Sequence, residues 1–189
     1  HAKFVVESLN AGKNTFVEKP LALNHDELDN IIEVYNSQQP TAKSQEQIAN
    51  FPTLTVGFNR RFSPHLIKVK QSIGDSAGAV NIIATMNAGF IPKNHWVHDL
   101  ESGGGRIIAE ACHLIDVSVF LAGSLIESVC MNDLGDKIDL ATDNTSILLN
   151  FQNGSNAVIN YFSNGSKKYS KERVEVYSQE RTWVVDNYR

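Results

Sequence analysis

Apolar residues recur along the chain with two periods, and the switches between them mark the elements. Ala2, Phe4, Val5 and Leu9 fall in a helical pattern over residues 2–11, stopped by Gly12. Residues 14–18, Asn-Thr-Phe-Val-Glu, read as a strand that runs into Lys19-Pro20. Asn24 is placed to cap a second helix in which Leu28, Ile31, Ile32 and Tyr35 lie at i, i+3, i+4 and i+7, one apolar stripe. Helix, strand, helix is the grammar of an α/β layer. Residues 37–52 are polar with little periodicity, a connector or weak helix leading to a strand over 53–57.

The pattern changes after Gly57. Leu66, Val69 and Ile73 mark a helix, residues 79–87 a strand, and 88–105 a long loop that holds His95, Trp96 and His98. Long loops in compact domains tend to carry function. Ile108, Ala111, Cys112, Ile115 and Val119 predict an amphipathic helix over 106–121, ended near Gly123. Strands are predicted at 126–133, 145–151, 156–163, 173–177 and 182–186, and Asn153-Gly154 is the clearest hairpin signal because both residues tolerate positive φ. The expected fold is α+β: a mostly antiparallel open sheet covered on one face by helices over residues 56–189, preceded by an α/β layer over residues 1–55.

Composition narrows the partners. The 189 residues carry 17 basic and 21 acidic side chains, a net charge of −4, with 42% hydrophobic and 8% aromatic residues. That is enough apolar material for a core, and it excludes a collagen, a disulfide scaffold and a disordered tail. The mild acidity gives no footprint for nucleic acid or an anionic membrane, and no apolar run approaches the ~20 residues that span a bilayer. The only cysteines, Cys112 and Cys130, lie outside any C-x-x-C pair, which points to free, buried thiols in a reducing, cytoplasmic setting. Three Asn-x-Ser/Thr triplets, from Asn144, Asn153 and Asn164, read as turn and strand polar residues. The chain opens on His1, not methionine, and enters an apolar pattern at once, so it is expected to be part of a longer protein.

Two constellations could carry chemistry. Gly103-Gly104-Gly105 admits a close backbone or ligand approach, and Arg106, Glu110 and His113 follow at i, i+4 and i+7. That spacing projects all three from one face, opposite the stripe through Cys112 and Ile115, and brings a cation, an acid and a base to one place. The same Glu-x-x-His spacing also suits a solvated face or a core pair, and a zinc site would need His95 or His98 as a further ligand. The second constellation, Glu18-Lys19-Pro20, sits at a strand end, where a lysine in a parallel sheet can reach a bound hydroxyl or carbonyl; an exposed loop lysine is the plain alternative. The proline there can adopt a cis peptide.

Taken in order, residues 1–13, then Thr15-Phe16-Val17-Glu18-Lys19-Pro20-Leu21-Ala22, Val56-Gly57-Phe58-Asn59-Arg60-Arg61-Phe62-Ser63-Pro64, and Gly103-Gly104-Gly105 followed by Glu110 and His113 resemble the Gfo/Idh/MocA oxidoreductases over nearly the whole chain. The resemblance implies that residues 1–55 are the remnant of a Rossmann dinucleotide-binding domain and residues 56–189 a substrate-binding and oligomerisation domain. It implies an NAD- or NADP-dependent reaction at a hydroxyl or keto carbon of a sugar, sugar nucleotide or polyol. Lys19 would hydrogen-bond the reacting oxygen, and His113 would be the general acid/base. Glu18, Lys19, Pro20, Asn59 and Arg61 would border the cofactor, and Asn87, His95, Trp96, Arg106, Glu110 and His113 the substrate. An imidazole that titrates near neutrality and an ammonium that stabilises a developing alkoxide suit such a reaction.

Two features depart from the family. Ala109 stands where many relatives carry an aspartate four residues before the histidine, with Glu110 one residue later. No G-x-G-x-x-G occurs, so the turn that cradles the pyrophosphate is expected upstream of His1, and this chain alone is expected to be inactive. The alternative is a non-catalytic module whose antiparallel sheet pairs with a second copy; a homo-oligomer through that sheet is expected on either reading.

Overall fold

The computed structural model describes residues 1–38, 51–74, 78–135 and 141–188. The chain forms two compact units, His1–Phe58 and Asn59–Arg189.

In the first unit α1 (Ala2–Asn10) leads through Gly12, at φ +65°, into β1 (Thr15–Val17), and α2 (His25–Ser37) precedes β2 (Leu54–Val56). Asn24 caps α2 by accepting from the Glu27 amide at 2.9 Å. The two strands pair in parallel, Thr15 opposite Leu54 and Val17 opposite Val56. Asn14 Oδ1 accepts from the Thr53 amide at 2.9 Å, tying the starts of both strands together. Ala2, Val5, Leu9 and Ile31 form the core, with Val34, Tyr35 and Leu54 against it. The predicted α2 stripe needs one correction: Ile32 is 46% exposed, and Val34 takes the inward position beside Ile31. Residues 39–50 of the predicted connector lie outside the described residues.

The second unit opens with a 3₁₀ turn (Arg60–Phe62) and α3 (Pro64–Ile73), capped by Ser63, whose Oγ accepts from the Leu66 amide, with proline at the first helical position. β3 (Asn81–Asn87), a 3₁₀ turn (Trp96–His98), a π-turn (Ile107–Ala111) and α4 (Cys112–Ala122) follow. Then come β4 (Ile126–Asp133), β5 (Asn144–Phe151), β6 (Asn156–Phe162), β7 (Glu172–Ser178) and β8 (Arg181–Asp186). Among the described residues the strands make a six-stranded sheet in the order β4-β5-β6-β3-β7-β8. It is antiparallel throughout except where β3 and β6 run in parallel. The β5–β6 hairpin turns at Asn153-Gly154 as predicted, with Gly154 at φ +82°.

Helices α3 and α4 cover one face of the sheet. Leu66, Val69 and Ile73 of α3 and Leu114, Val117 and Leu121 of α4 pack on Ile82, Ala84 and Met86 of β3 and Ile147, Leu149, Ala157 and Ile159 of its neighbours. Each fully buried large aliphatic side chain here contributes about 1.5–3 kcal/mol. The opposite face is open, and its cross-strand rows differ in character. One row reads Cys130, Leu148, Val158, Ile83; the next reads Asn132, Ser146, Asn160, Thr85, joined by Ser146–Asn160 and Asn160–Thr85 hydrogen bonds of 2.8 and 3.4 Å. Cys130 is therefore exposed, not buried as expected, because β4 is an edge strand that turns this residue to the open face; Cys112 is half-buried, and neither cysteine forms a disulfide among the described residues.

The predicted helix over 106–121 is not one straight helix. The π-turn carries more residues per turn than an α-turn, so helical spacing alone no longer fixes a shared face from Arg106 to His113, although Arg106 and Glu110 still meet. The buried stripe of α4 is Leu114, Val117 and Leu121, while Cys112, Ile115 and Val119 are half-buried at its margins. No helix among the described residues is long and apolar enough to cross a membrane.

Candidate active site

In the first unit, Glu18-Lys19-Pro20 follows the end of β1, and Gly57 follows the end of β2. Because the strands are parallel, both chain segments leave at the same end, the end where open α/β sheets bind ligands. The Gly57 amide donates to the Val17 carbonyl at 2.8 Å and carries the pairing one step further. A Cβ at Gly57 would stand 3.1 Å from the Phe16 ring and 3.2 Å from a Glu18 carboxylate oxygen, so glycine lets Glu18 lie across the strand end. Glu18 is exposed, Lys19 and Pro20 are half-buried, and the peptide between Lys19 and Pro20 is cis. The Pro20 carbonyl lies 2.8 Å from the Nδ1 of His1.

In the second unit, Asn59 is exposed ahead of the 3₁₀ turn, and the two arginines after it reach opposite ways. Arg60 forks onto Glu172 of β7 with bonds of 2.7 and 2.6 Å. Arg61 forks onto Asp116 of α4, Nε at 2.9 Å, and lies over the Phe120 ring at 5.6 Å. Burial pushes the Glu172 carboxyl up, and its bonds to the Arg60 guanidinium more than reverse that, holding it below the ordinary 4.5. The hydrogen bond to Asp116 and its charge raise the pKa of Arg61, so this guanidinium, expected beside a cofactor, is engaged within the unit.

His113 stands in the first turn of α4 and is 7% exposed, held among core-facing neighbours. Arg106 and Glu110 meet each other: Nε donates to Oε1 at 3.0 Å and Nη2 to Oε2 at 3.4 Å. Arg106, at 1% exposure, and His113 are buried and Glu110 is half-buried, with the π-turn interrupting the expected straight helix between them. Arg106 also donates to the Gly89 carbonyl at 2.8 Å, and its guanidinium stands 5.4 Å from the Tyr161 ring centroid. Burial pushes the Tyr161 phenol far up, and the nearby Glu110 carboxylate adds to it.

Asn87 ends β3, nearly buried, and donates to the Ser166 carbonyl at 2.7 Å. His95 and Trp96 sit together on the loop, ring centroids 5.7 Å apart; the His95 Nδ1 accepts from the Val97 amide, and Trp96 is 63% exposed. The glycine triplet shapes the far end of the same loop. The amides of Gly103 and Gly104 both donate to the Asp99 carbonyl, at 2.8 and 3.0 Å, and Gly104 and Gly105 hold φ of +72° and +75°. The structure thus joins Arg106 to Glu110 and His95 to Trp96. Among the described residues no group of three or more His, Cys, Asp or Glu side chains is placed to hold a metal ion.

Sequence reasoning did not find Asp116, Asp143, Tyr161 or Glu172. Asp116 follows His113 at i+3, but its partner Arg61 lies 55 residues upstream, so local spacing does not reveal the pair. Nothing local marks Asp143, Tyr161 or Glu172, which come to their partners from strands or a strand approach far along the chain.

The family model of the GFO/IDH/MocA C-terminal domain matches residues 71–184. The chain is 29% identical over 200 residues to the uncharacterized oxidoreductase YrbE of Bacillus subtilis, covering 100% of this chain and 53% of that protein. It is 27% identical over 197 residues to the inositol 2-dehydrogenase of Rhizobium meliloti, covering 100% of this chain and 54% of that protein. Among solved structures, the WlbA dehydrogenase from Bordetella pertussis, in complex with NADH and UDP-GlcNAcA, superposes with a TM-score of 0.74 at 20% identity, over 100% of this chain and 56% of that one. The chain therefore spans about half the length of the curated relatives it matches.

Proposed function

The chain belongs to the GFO/IDH/MocA family, and from that premise we propose that it supplies the substrate-binding and oligomerisation part of a nicotinamide-dependent oxidoreductase acting on a hydroxyl or keto carbon of a sugar, sugar nucleotide or polyol. The observation that carries the reading is His113, an imidazole buried at the start of a core-packed helix that follows the glycine-rich loop and its π-turn. Burial in a helix anchored by Leu114, Val117 and Leu121 limits its motion, which a general acid/base needs. His113 takes the proton of the reacting hydroxyl, or returns it in the reverse direction. Lys19 hydrogen-bonds the same oxygen and stabilises its developing negative charge. Asn87, His95 and Trp96 contact the substrate, the exposed indole offering a flat apolar face to a ring.

NAD or NADP fits the strand ends of the first unit, where parallel pairing and the glycine at position 57 leave Glu18, Lys19 and Pro20 at the ligand-binding end. Asn59 and Arg61 would lie along it, Arg61 keeping its fork onto Asp116. A nicotinamide held there would supply hydride exchange with the substrate carbon. With no G-x-G-x-x-G in the sequence, residues 1–189 alone bind it weakly; tight NAD(H) binding to them in a calorimeter would overturn that part. The open sheet face, with its apolar row between polar ones, pairs with a second copy of the chain.

The test is to substitute Lys19 and His113 singly with alanine in a protein that joins this chain to a nucleotide-binding half. Losses of about 100-fold or more in turnover are expected. Unchanged turnover in both variants would leave a non-catalytic module as the better account.

A further inference from the structure

Residues 106–113 have the pattern of a straight α-helix, yet Ile107–Ala111 fold as a π-turn. Such turns are rare, and as single-turn bulges in α-helices they are frequent at functional sites, so the surroundings have to hold this one open. Arg106 is the residue in a position to do it. It stands immediately before the turn and bridges it from the side through Glu110, at 3.0 and 3.4 Å. Its Nη1 reaches the Gly89 carbonyl at 2.8 Å and lies 3.9 Å from Asp143 Oδ2, and the Tyr161 ring lies under the guanidinium. At 1% exposure the side chain has almost no surface left for a ligand.

Those partners define what Arg106 does. Gly89 is near the start of the 88–105 loop and Arg106 follows its end, so their hydrogen bond closes the loop at its base. At the tip, Gly103 lies against the backbone of Trp96 and Val97, and Asp99 accepts from Gly103 and Gly104. A loop fastened at base and tip has already lost the freedom that binding would otherwise have to remove. We propose that Arg106, with Glu110, is a positioning residue that fastens the 88–105 loop to the π-turn, so that the loop carrying His95 and Trp96 is held ready for substrate instead of being ordered by it. The functional part of this inference rests on the reading above; the fastening itself does not.

Hydrogen exchange on the chain tests the fastening without turnover. Lysine at position 106 keeps the charge but cannot fork onto Glu110 while reaching Gly89, and Glu110→Gln keeps a neutral acceptor. In Arg106→Lys the Gly103 and Gly104 amides should exchange about 10-fold faster or more, with α4 amides unchanged and Glu110→Gln intermediate. Unchanged loop exchange in a folded Arg106→Lys variant would overturn the proposal.

In the joined enzyme the KM of Arg106→Lys should rise by the factor by which the closed loop is depopulated, with kcat at saturation within about 3-fold of the parent. The double variant should be no worse than Arg106→Lys, because Glu110 acts on the loop through Arg106. A raised KM with loop exchange untouched would instead make Arg106 a substrate contact and refute positioning. If Lys19 and His113 variants keep full turnover, the oxidoreductase reading fails while the exchange result stands by itself.

Discussion

Replacing Gly103 by alanine isolates steric closeness from backbone strain. An ideal Cβ at this position lies 2.6 Å from the Trp96 carbonyl oxygen, 2.7 Å from Val97 Cα and 2.8 Å from the Val97 carbonyl oxygen. Carbon contacts settle at about 3.5–4.0 Å, so the added methyl falls short by about an ångström against three atoms at once. All three are backbone, with no rotamer to adopt. The 3₁₀ turn Trp96–His98 must therefore move away from residue 103, stretching the Gly103 and Gly104 hydrogen bonds to Asp99. Two such bonds at about 1 kcal/mol each, with overpacking of about 1–3 kcal/mol, give a loss of about 3–5 kcal/mol. Gly154→Ala is the internal control: its φ is +82° but its nearest neighbour, Ala79 Cβ, is 3.9 Å away, so it pays conformational strain alone, about 1–2 kcal/mol. Urea unfolding of parent and both variants measures the difference, and in thermal melts about 2–4 °C per kcal/mol is expected for a chain of this size. Gly103→Ala within 1 kcal/mol of the parent, or no worse than Gly154→Ala, would refute the packing on which the loop geometry rests.

Three further outcomes follow from the same structure. Glu172→Gln leaves the Arg60 guanidinium without its carboxylate and should destabilise the chain by about 3 kcal/mol at pH 7. Because the folded carboxyl is held below its ordinary 4.5, its contribution is complete above that value and fades as pH falls through the folded pKa. The gap between parent and variant in urea unfolding should therefore shrink on going from pH 7 to acid, and a pH-independent gap would contradict this. Leu148→Glu places a charge in the apolar row of the open sheet face at a side chain 41% exposed; sedimentation should show loss of self-association with the fold retained, whereas an unchanged assembly would remove this face from the interface. Asn24→Ala deletes the α2 cap and should cost about 1 kcal/mol in urea unfolding, with no loss arguing against the Asn24–Glu27 bond.

What local pattern can state, it stated well here. Every predicted strand in the second unit is present within a residue or two, because a sheet with one covered face imposes a period of two that the alternation of Ile82, Ala84 and Met86 with Ile83 and Thr85 displays directly. The Asn24 cap and the Asn153-Gly154 turn are short-range devices and were equally readable. Ile32 was misplaced because two helical faces adjoin at Ile31, and only packing against β1 and β2 selects the one through Val34. The parallel pairing of β3 with β6 had no local signature at all, since a strand's own alternation does not name its neighbour.

The candidate site divides along the same line. Residue types with distinctive chemistry, Lys19 beside a proline and His113 behind a glycine triplet, stand out in a bare sequence because few structural needs call for them in that order. Their supports do not. Asp143 and Tyr161 reach Arg106 only after β5 and β6 have paired, and Glu172 reaches Arg60 from 112 residues away. The π-turn shows why this matters. Local preference puts Arg106, Glu110 and His113 on one helical face, and that face was the sequence's strongest hint of a catalytic cluster. Tertiary contacts to Gly89 and Tyr161 instead hold Arg106 inward, 1% exposed, beside the base of the loop. A local rule that fails where a charged side chain is wholly buried next to a glycine-rich loop marks the place where the fold has given up helical regularity for the placement of that loop.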